Sequence, residues 1–186
     1  MKRKLLHIFM LLLTVTLTVT LPSCRSAKKS KSEFRESSSM AHRGGRHEND
    51  KNGKAVSKTR KKIINEAYEW MGTPYGFGKS DKGKASDCSG LVVGAYERAA
   101  GIKLPRTSAK QKEYCKELKK KDVRVADLCF FATGKDPGKV SHVGIMVDDR
   151  NFIHASSSKG VIVSDITQPY WVRTFLGYGR VPDLND

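Results

Sequence analysis

Helical stripes followed by a succession of short strands predict an α+β domain, with N-terminal helices packed on one face of an antiparallel sheet. Two observations carry that expectation. From about residue 59 to about residue 100 the apolar residues recur near the 3.6-residue period, and from Asp127 onward they fall in short runs separated by Gly, Asp-Asp-Arg-Asn and Ser-rich turns. The span that carries these patterns, roughly 125 residues, is long enough for one proper core.

The chain opens with a segment that is not expected to join the fold. Lys2, Arg3 and Lys4 precede an apolar stretch from Leu5 to about Val19, and Leu21-Pro22-Ser23-Cys24 follows. That order is a secretory signal over residues 1–23. Thr14, Thr16, Thr18 and Thr20 dilute the stretch and make it a poor permanent membrane helix. Leu21 and Ser23 before Cys24 resemble a lipoprotein lipobox, although Pro22 departs from the small residue usual there. The expectation is export, lipidation of Cys24 and tethering to a membrane. Arg25 and Ser26 offer no inner-membrane retention signal, which favours the outer membrane, facing the periplasm.

Residues 24–57 read as a lipidated, basic, disordered linker, because Phe34, Met40 and Val56 are its only large apolar residues. Most of the chain's net charge of +16 sits in this region: residues 25–62 hold 13 Lys and Arg against 4 Asp and Glu. A pI near 9.8 would ordinarily suggest nucleic acid. An exported chain without a nucleic-acid module is not expected to bind it. The tail is either a solvated tether or a contact to anionic lipid or wall polymer.

The domain is expected over residues 58–186. Ile63, Ile64, Ala67, Tyr68 and Met71 form the first helical stripe, ended by Gly72 and Pro74. Residues 72–86 form a Gly-rich loop with Tyr75 and Phe77. A second helix opens at Asp87–Cys88 with Ser86 or Asp87 as N-cap, carries Leu91, Val92, Ala95, Tyr96 and Ala99 as its apolar stripe, and stops at Gly101. A weaker, charged helix is expected over Ser108–Lys119. Strands are expected at Asp127–Ala132, His142–Asp148, Asn151–His154, Gly160–Val163 and Phe175–Val181.

Four cysteines occur: Cys24, Cys88, Cys115 and Cys129. With Cys24 assigned to lipid, an odd number remains, so at least one thiol stays free. No CxxC pair or Cys/His cluster has metal-ligand spacing, and no metal or organic cofactor is expected. Cys88 stands out because a helix N-terminus favours thiolate. Gly90, in the first turn, is read as leaving space near the sulfur. Cys115 and Cys129 read as small buried hydrophobes.

A cysteine nucleophile needs a base, and the base an orienting partner. Beyond residue 62 the only histidines are His142 and His154. Folded about Asp148 as a hairpin, their strands would set the two imidazoles directly opposite each other. One could then take the thiol proton while the other fixes its tautomer. Structural packing is the competing reading for either histidine alone.

The segments GTPYGFG (72–78), SDCSGLV (86–92), LPRTSAKQ (104–111), DLCFF (127–131), SHVGIMV (141–147), NFIHASSSKGV (151–161) and FLGYGRV (175–181) resemble the NlpC/P60 family of cell-wall peptidases. The resemblance implies a papain-like core with Cys88 as nucleophile, His142 as general base and then acid, and His154 as its orienter. It implies that Tyr75 lines the oxyanion region, and that Asp87 and Ser89 engage a substrate amine or else cap the helix. Arg106 is a candidate for a substrate carboxylate, with a surface salt bridge as the alternative. The implied substrate is the γ-D-glutamyl–diamino acid bond of peptidoglycan stem peptides, cut by a monomer. An amidase or acyltransferase on the same fold, or a non-catalytic wall-binding lipoprotein, are the competing functions.

Overall fold

The computed structural model describes residues 56–184. The expected signal sequence, Cys24 and nearly all of the expected linker lie outside the described residues. Two residues assigned to the linker belong to the domain instead. Val56 is buried in the core, and the Ser57 hydroxyl accepts from the Arg60 N–H to cap the first helix.

Helix α1 (Lys58–Tyr68) buries Ile63, Ile64 and Ala67, as its stripe requires, but also Arg60. Gly72, at φ 77°, ends the turn beyond it, as the sequence suggested. The loop that follows contains a two-residue hairpin, β1 (Ser80–Asp81) with β2 (Ala85–Ser86). Helix α2 (Cys88–Ala100) has Asp87 as N-cap and Gly101 in the left-handed conformation as its stop. It is buried against α1, and Gly94 makes the close approach possible: a Cβ there would lie 2.3 Å from the Trp70 indole.

The charged helix is shorter than expected. Helix α3 (Ser108–Tyr114) ends where Cys115 turns extended, and β3 (Lys116–Leu118) pairs with the last strand. Lys and Glu in that run fit an exposed edge strand, where charge discourages further pairing. A short 3₁₀ turn (Lys120–Asp122) leads to β4 (Leu128–Phe131), β5 (His142–Met146), β6 (Asn151–Ser156) and β7 (Gly160–Asp165). Helix α4 (Pro169–Thr174) was not expected. Its β-branched and aromatic residues hide a helix that Pro169 starts at its first position. Strand β8 (Phe175–Arg180) closes the sheet, whose order is β3-β8-β4-β5-β6-β7, antiparallel throughout.

The domain is α+β, with helices on an antiparallel sheet. One face of the sheet packs Leu128, Phe130, Val143, Ile145, Ile153 and Val161 with the apolar faces of α1 and α2. The other face carries a smaller cluster of Cys129, Phe131, Met146, Phe152, Tyr178 and the α4 residue Trp171. Because both faces are covered, the central strands read as continuous apolar runs. No helix among the described residues is long and apolar enough to cross a membrane.

Candidate active site

The site lies where the start of α2 meets the start of β5. Asp87 builds the helix end: its Oδ1 accepts from Gly90 N–H at 2.7 Å and its Oδ2 from Gly78 N–H at 2.7 Å. Gly90 leaves no space beside the sulfur, contrary to the sequence reading. A Cβ on it would sit 2.1 Å from the Lys79 carbonyl, so this glycine admits the preceding loop. With the cap in place, the Cys88 side chain is held between helix and sheet, its Sγ 4.0 Å from the Ser141 carbonyl oxygen.

Burial pushes the Cys88 thiol up, and the nearby Asp87 charge adds to that. The N–H groups of Val143, Ser89 and Cys88 itself act in the opposite sense without outweighing burial. The expectation that the helix N-terminus favours thiolate is therefore reversed in net direction. Desolvation of a nine-tenths buried sulfur is the larger effect.

His142 and His154 meet on the sheet face away from α1 and α2. His142 Nε2 lies 3.0 Å from His154 Nδ1, with ring centroids 5.0 Å apart and nearly perpendicular planes. They do not oppose each other directly. The β5–β6 register pairs Ile145 with Ile153 and Met146 with Phe152; continued one residue further, it would set His154 against Gly144. The imidazoles meet diagonally. The turn sets this offset: Asp148 Oδ1 accepts from the N–H groups of Arg150 and Asn151, and the fold-back point moves from Asp148 to Asp149, a two-residue register shift that keeps both histidines on one face.

His154 Nε2 contacts the Ser164 hydroxyl on β7 at 2.9 Å, a partner that sequence reasoning missed. With His142 Nε2 and both His154 nitrogens engaged, Nδ1 is the ring nitrogen of His142 left to exchange a proton with a thiol. A single set of tautomers serves that purpose. His142 Nε2–H donates to His154 Nδ1, and His154 Nε2–H donates to Ser164 Oγ.

Burial pushes His142 down to about 4 and His154 down to about 3, the latter with a contribution from His142. Histidines in an unfolded chain protonate near 6.5. Between 6.5 and about 4 the unfolded chain therefore binds more protons, and stability must fall as pH falls. The limiting slope is about 1.4 kcal/mol per pH unit for each histidine. Urea unfolding near pH 5 should show a lower midpoint than near pH 7.5, and replacing both histidines with glutamine should remove most of that difference. Equal wild-type midpoints would contradict neutral burial.

The remaining expected residues lie around the cap. Tyr75 bridges to Ser86 beside α2; burial raises its hydroxyl, and the neighbouring Cys88 and Asp87 charges add to the rise. Arg106 forks onto Asp87, Nη1 to Oδ1 at 2.9 Å and Nη2 to Oδ2 at 2.8 Å. It also donates to Ser89 Oγ and to the Lys79 carbonyl. Burial alone would raise Asp87, yet Arg106 and the Gly90 and Gly78 N–H groups hold it below the usual carboxylate range. Asp87, Ser89 and Arg106 thus bond one another, the arrangement given as the alternative to substrate binding.

Cys88, Cys115 and Cys129 are all free thiols. Burial pushes Cys115 up to about 12 and Cys129 well above its ordinary range. Among the described residues no three His, Cys, Asp or Glu side chains converge to hold a metal ion.

Residues 72–180 match the NlpC/P60 family. The chain belongs to the NlpC/P60 family. That match spans the Tyr75 loop, the Cys88 helix, both histidines and the closing strand. Over 120 residues the chain is 37% identical to a protein of Escherichia coli K12 named murein DD-endopeptidase MepS/murein LD-carboxypeptidase, covering 64% of this chain and 62% of that one. It is 33% identical over 122 residues to the γ-DL-glutamyl hydrolase of Bacillus subtilis, covering 66% of this chain but only 29% of the relative. Among solved structures, an NlpC/P60 lipoprotein-like protein of Staphylococcus aureus superposes with a TM-score of 0.61 at 30% identity, covering 74% of this chain and 44% of that one.

Proposed function

We propose that this NlpC/P60 protein is a cysteine endopeptidase that hydrolyses peptidoglycan stem peptides through a thioester. The observation that carries the reading is the His142–His154 pair, whose contacts leave His142 Nδ1 for the thiol while Cys88 sits against Ser141 and Val143, the residues flanking His142. Relatives named as murein endopeptidase and γ-DL-glutamyl hydrolase support the substrate class.

In this mechanism the Cys88 S–H proton passes to His142 Nδ1 as sulfur attacks the amide carbonyl carbon. The starting pair is thiol and neutral imidazole, because burial disfavours both charged forms. The N–H groups at the start of α2 and the Tyr75 hydroxyl stabilise the developing oxyanion. The C–N bond breaks as His142 returns the proton to the leaving amine. Water, deprotonated by the same imidazole, then opens the thioester and restores the thiol.

The scissile bond assigned is that between γ-D-glutamyl and the diamino acid. Asp87, Ser89 and Arg106 border the nucleophile and form the substrate-binding edge, where any substrate ammonium must share the Asp87 carboxylate with Arg106. Lipidation at Cys24, outer-membrane attachment facing the periplasm and action as a monomer complete the proposal.

Mass spectrometry of muropeptides after digestion tests it. Products should carry a free D-glutamyl carboxylate and a free amine on the diamino acid. Cleavage at the crosslink would move the bond to the one in the MepS name. A new amide or ester in place of free ends would make the protein an acyltransferase, and no product at all would leave a wall-binding protein.

A further inference from the structure

The shell around the histidine pair contains one element that the mechanism leaves unused. Helix α4 sits between β7 and β8 and is fastened at both ends. Gln168 N–H donates to the Asp165 carbonyl, and Ala132 N–H donates to the Thr174 carbonyl at 2.7 Å. Its one buried residue is Trp171, flanked by exposed Tyr170 and Val172.

The Trp171 indole lies over both histidines. It stacks on His142 with centroids 5.6 Å apart and planes 21° from parallel. It meets His154 edge-on, at 4.9 Å and 77°. Phe152 covers the other exposure of His154 as a stacked ring at 4.9 Å, and Phe131 braces Trp171 at 4.8 Å.

We propose that Trp171 is a positioning residue for the catalytic pair, clamping the His142 ring plane and excluding water from both imidazoles. Resting on the assignment of His142 as base, this extends the site to a residue that touches neither the thiol nor the scissile bond. Two physical effects of the indole oppose each other. A stacked indole attracts an imidazolium through its ring face, whereas the dry pocket it closes disfavours that charge.

The dry pocket wins in the net direction, because among the described residues no charged group outside the pair is a cause of shift at either imidazole. The side chains in contact with the pair are Phe131 from β4, Phe152 from β6, Ser164 from β7 and Trp171 itself. None is a carboxylate or a cation at neutral pH. Burial is the cause acting on His142, and burial with His142 itself on His154. Without Trp171, water reaches both rings, His142 protonates nearer 6.5, and its plane is freed to rotate away from the thiol.

The test is a histidine side-chain NMR titration of the full chain as wild type, Trp171→Leu and Trp171→Phe, with the pH profile of muropeptide hydrolysis beside it. In Trp171→Leu the His142 midpoint should rise by at least one pH unit from about 4 and the acid limb of kcat/KM should rise with it. Its kcat near pH 7.5 should fall about tenfold, since a displaced base loses its attack geometry. Trp171→Phe keeps a ring over the pair and should show a smaller rise and recover most of kcat; it decides the matter if the leucine variant does not fold. Histidine midpoints unmoved in both variants would overturn the proposal. The titration needs no substrate, so a wild type that cleaves no muropeptide would reject the peptidase reading while leaving Trp171 to be judged by NMR alone.

Discussion

Cys88→Ala is expected to lower muropeptide hydrolysis by about 10⁴-fold or more, the range seen when a covalent nucleophile is deleted. No other side chain at the start of α2 can replace it. Ser89 donates to Asp87 and accepts from Arg106, and Tyr75 is held protonated by burial and by neighbouring negative charge. The fold should survive. The helix cap belongs to Asp87 and not to the cysteine, and losing one buried sulfur costs about 1 kcal/mol. Steady-state release of free amines, read beside a urea unfolding curve, checks both halves. Cys115→Ala and Cys129→Ala should keep their activity, because burial holds both thiols protonated. Full hydrolysis by Cys88→Ala would end the peptidase mechanism. Loss of activity together with unfolding would show instead that the sulfur is structural.

What was legible in the sequence was local, and what was not legible was set across the sheet. Cys88 could be placed at a helix start because an Asp N-cap, an apolar stripe and a terminal Gly are all short-range signals. The meeting of His142 and His154 followed from one hairpin, but their diagonal offset depended on how Asp148 folds the turn, a side-chain choice that spacing does not carry. Trp171 and Ser164 reach the pair from α4 and β7, and their approach to His154 is a property of sheet order rather than of period. Lys116–Leu118 read as helix because charge is helix-compatible, and only the exposed β8 edge makes it a strand. Arg106 illustrates a different limit. Its fork onto Asp87 is a bidentate geometry that no motif displays.

Arg60 and Asp127 were further beyond reach, and they set the second large effect. Arg60 was only counted in the basic excess of residues 25–62, and Asp127 was read simply as the opening of a strand. In the structure both are buried, with side-chain exposures of 1% and 0%. Asp127 Oδ1 accepts from Arg60 Nη1 at 3.0 Å and from Arg180 Nε at 2.9 Å, while Oδ2 accepts from Arg180 Nη2 and from the Arg124 N–H. Arg60 also donates to the Val125 carbonyl, and the Tyr96 hydroxyl donates to the carbonyl of Ala126, which is held at φ 65°. One carboxylate thus ties α1, β4 and β8 together and secures a strained turn. Asp127→Ala would remove the buried carboxylate that receives both guanidinium groups. Breaking such a buried pair costs about 3–5 kcal/mol, a large share of the roughly 5–15 kcal/mol that holds a domain folded. The urea midpoint of Asp127→Ala should therefore drop sharply at unchanged slope. Asp165→Ala, which removes the partner of exposed Arg150, should leave the midpoint nearly in place. An Asp127→Ala midpoint equal to that of Asp165→Ala would mean that solvent reaches Arg60 and Arg180 freely, and that the apolar core alone holds α1 on the sheet.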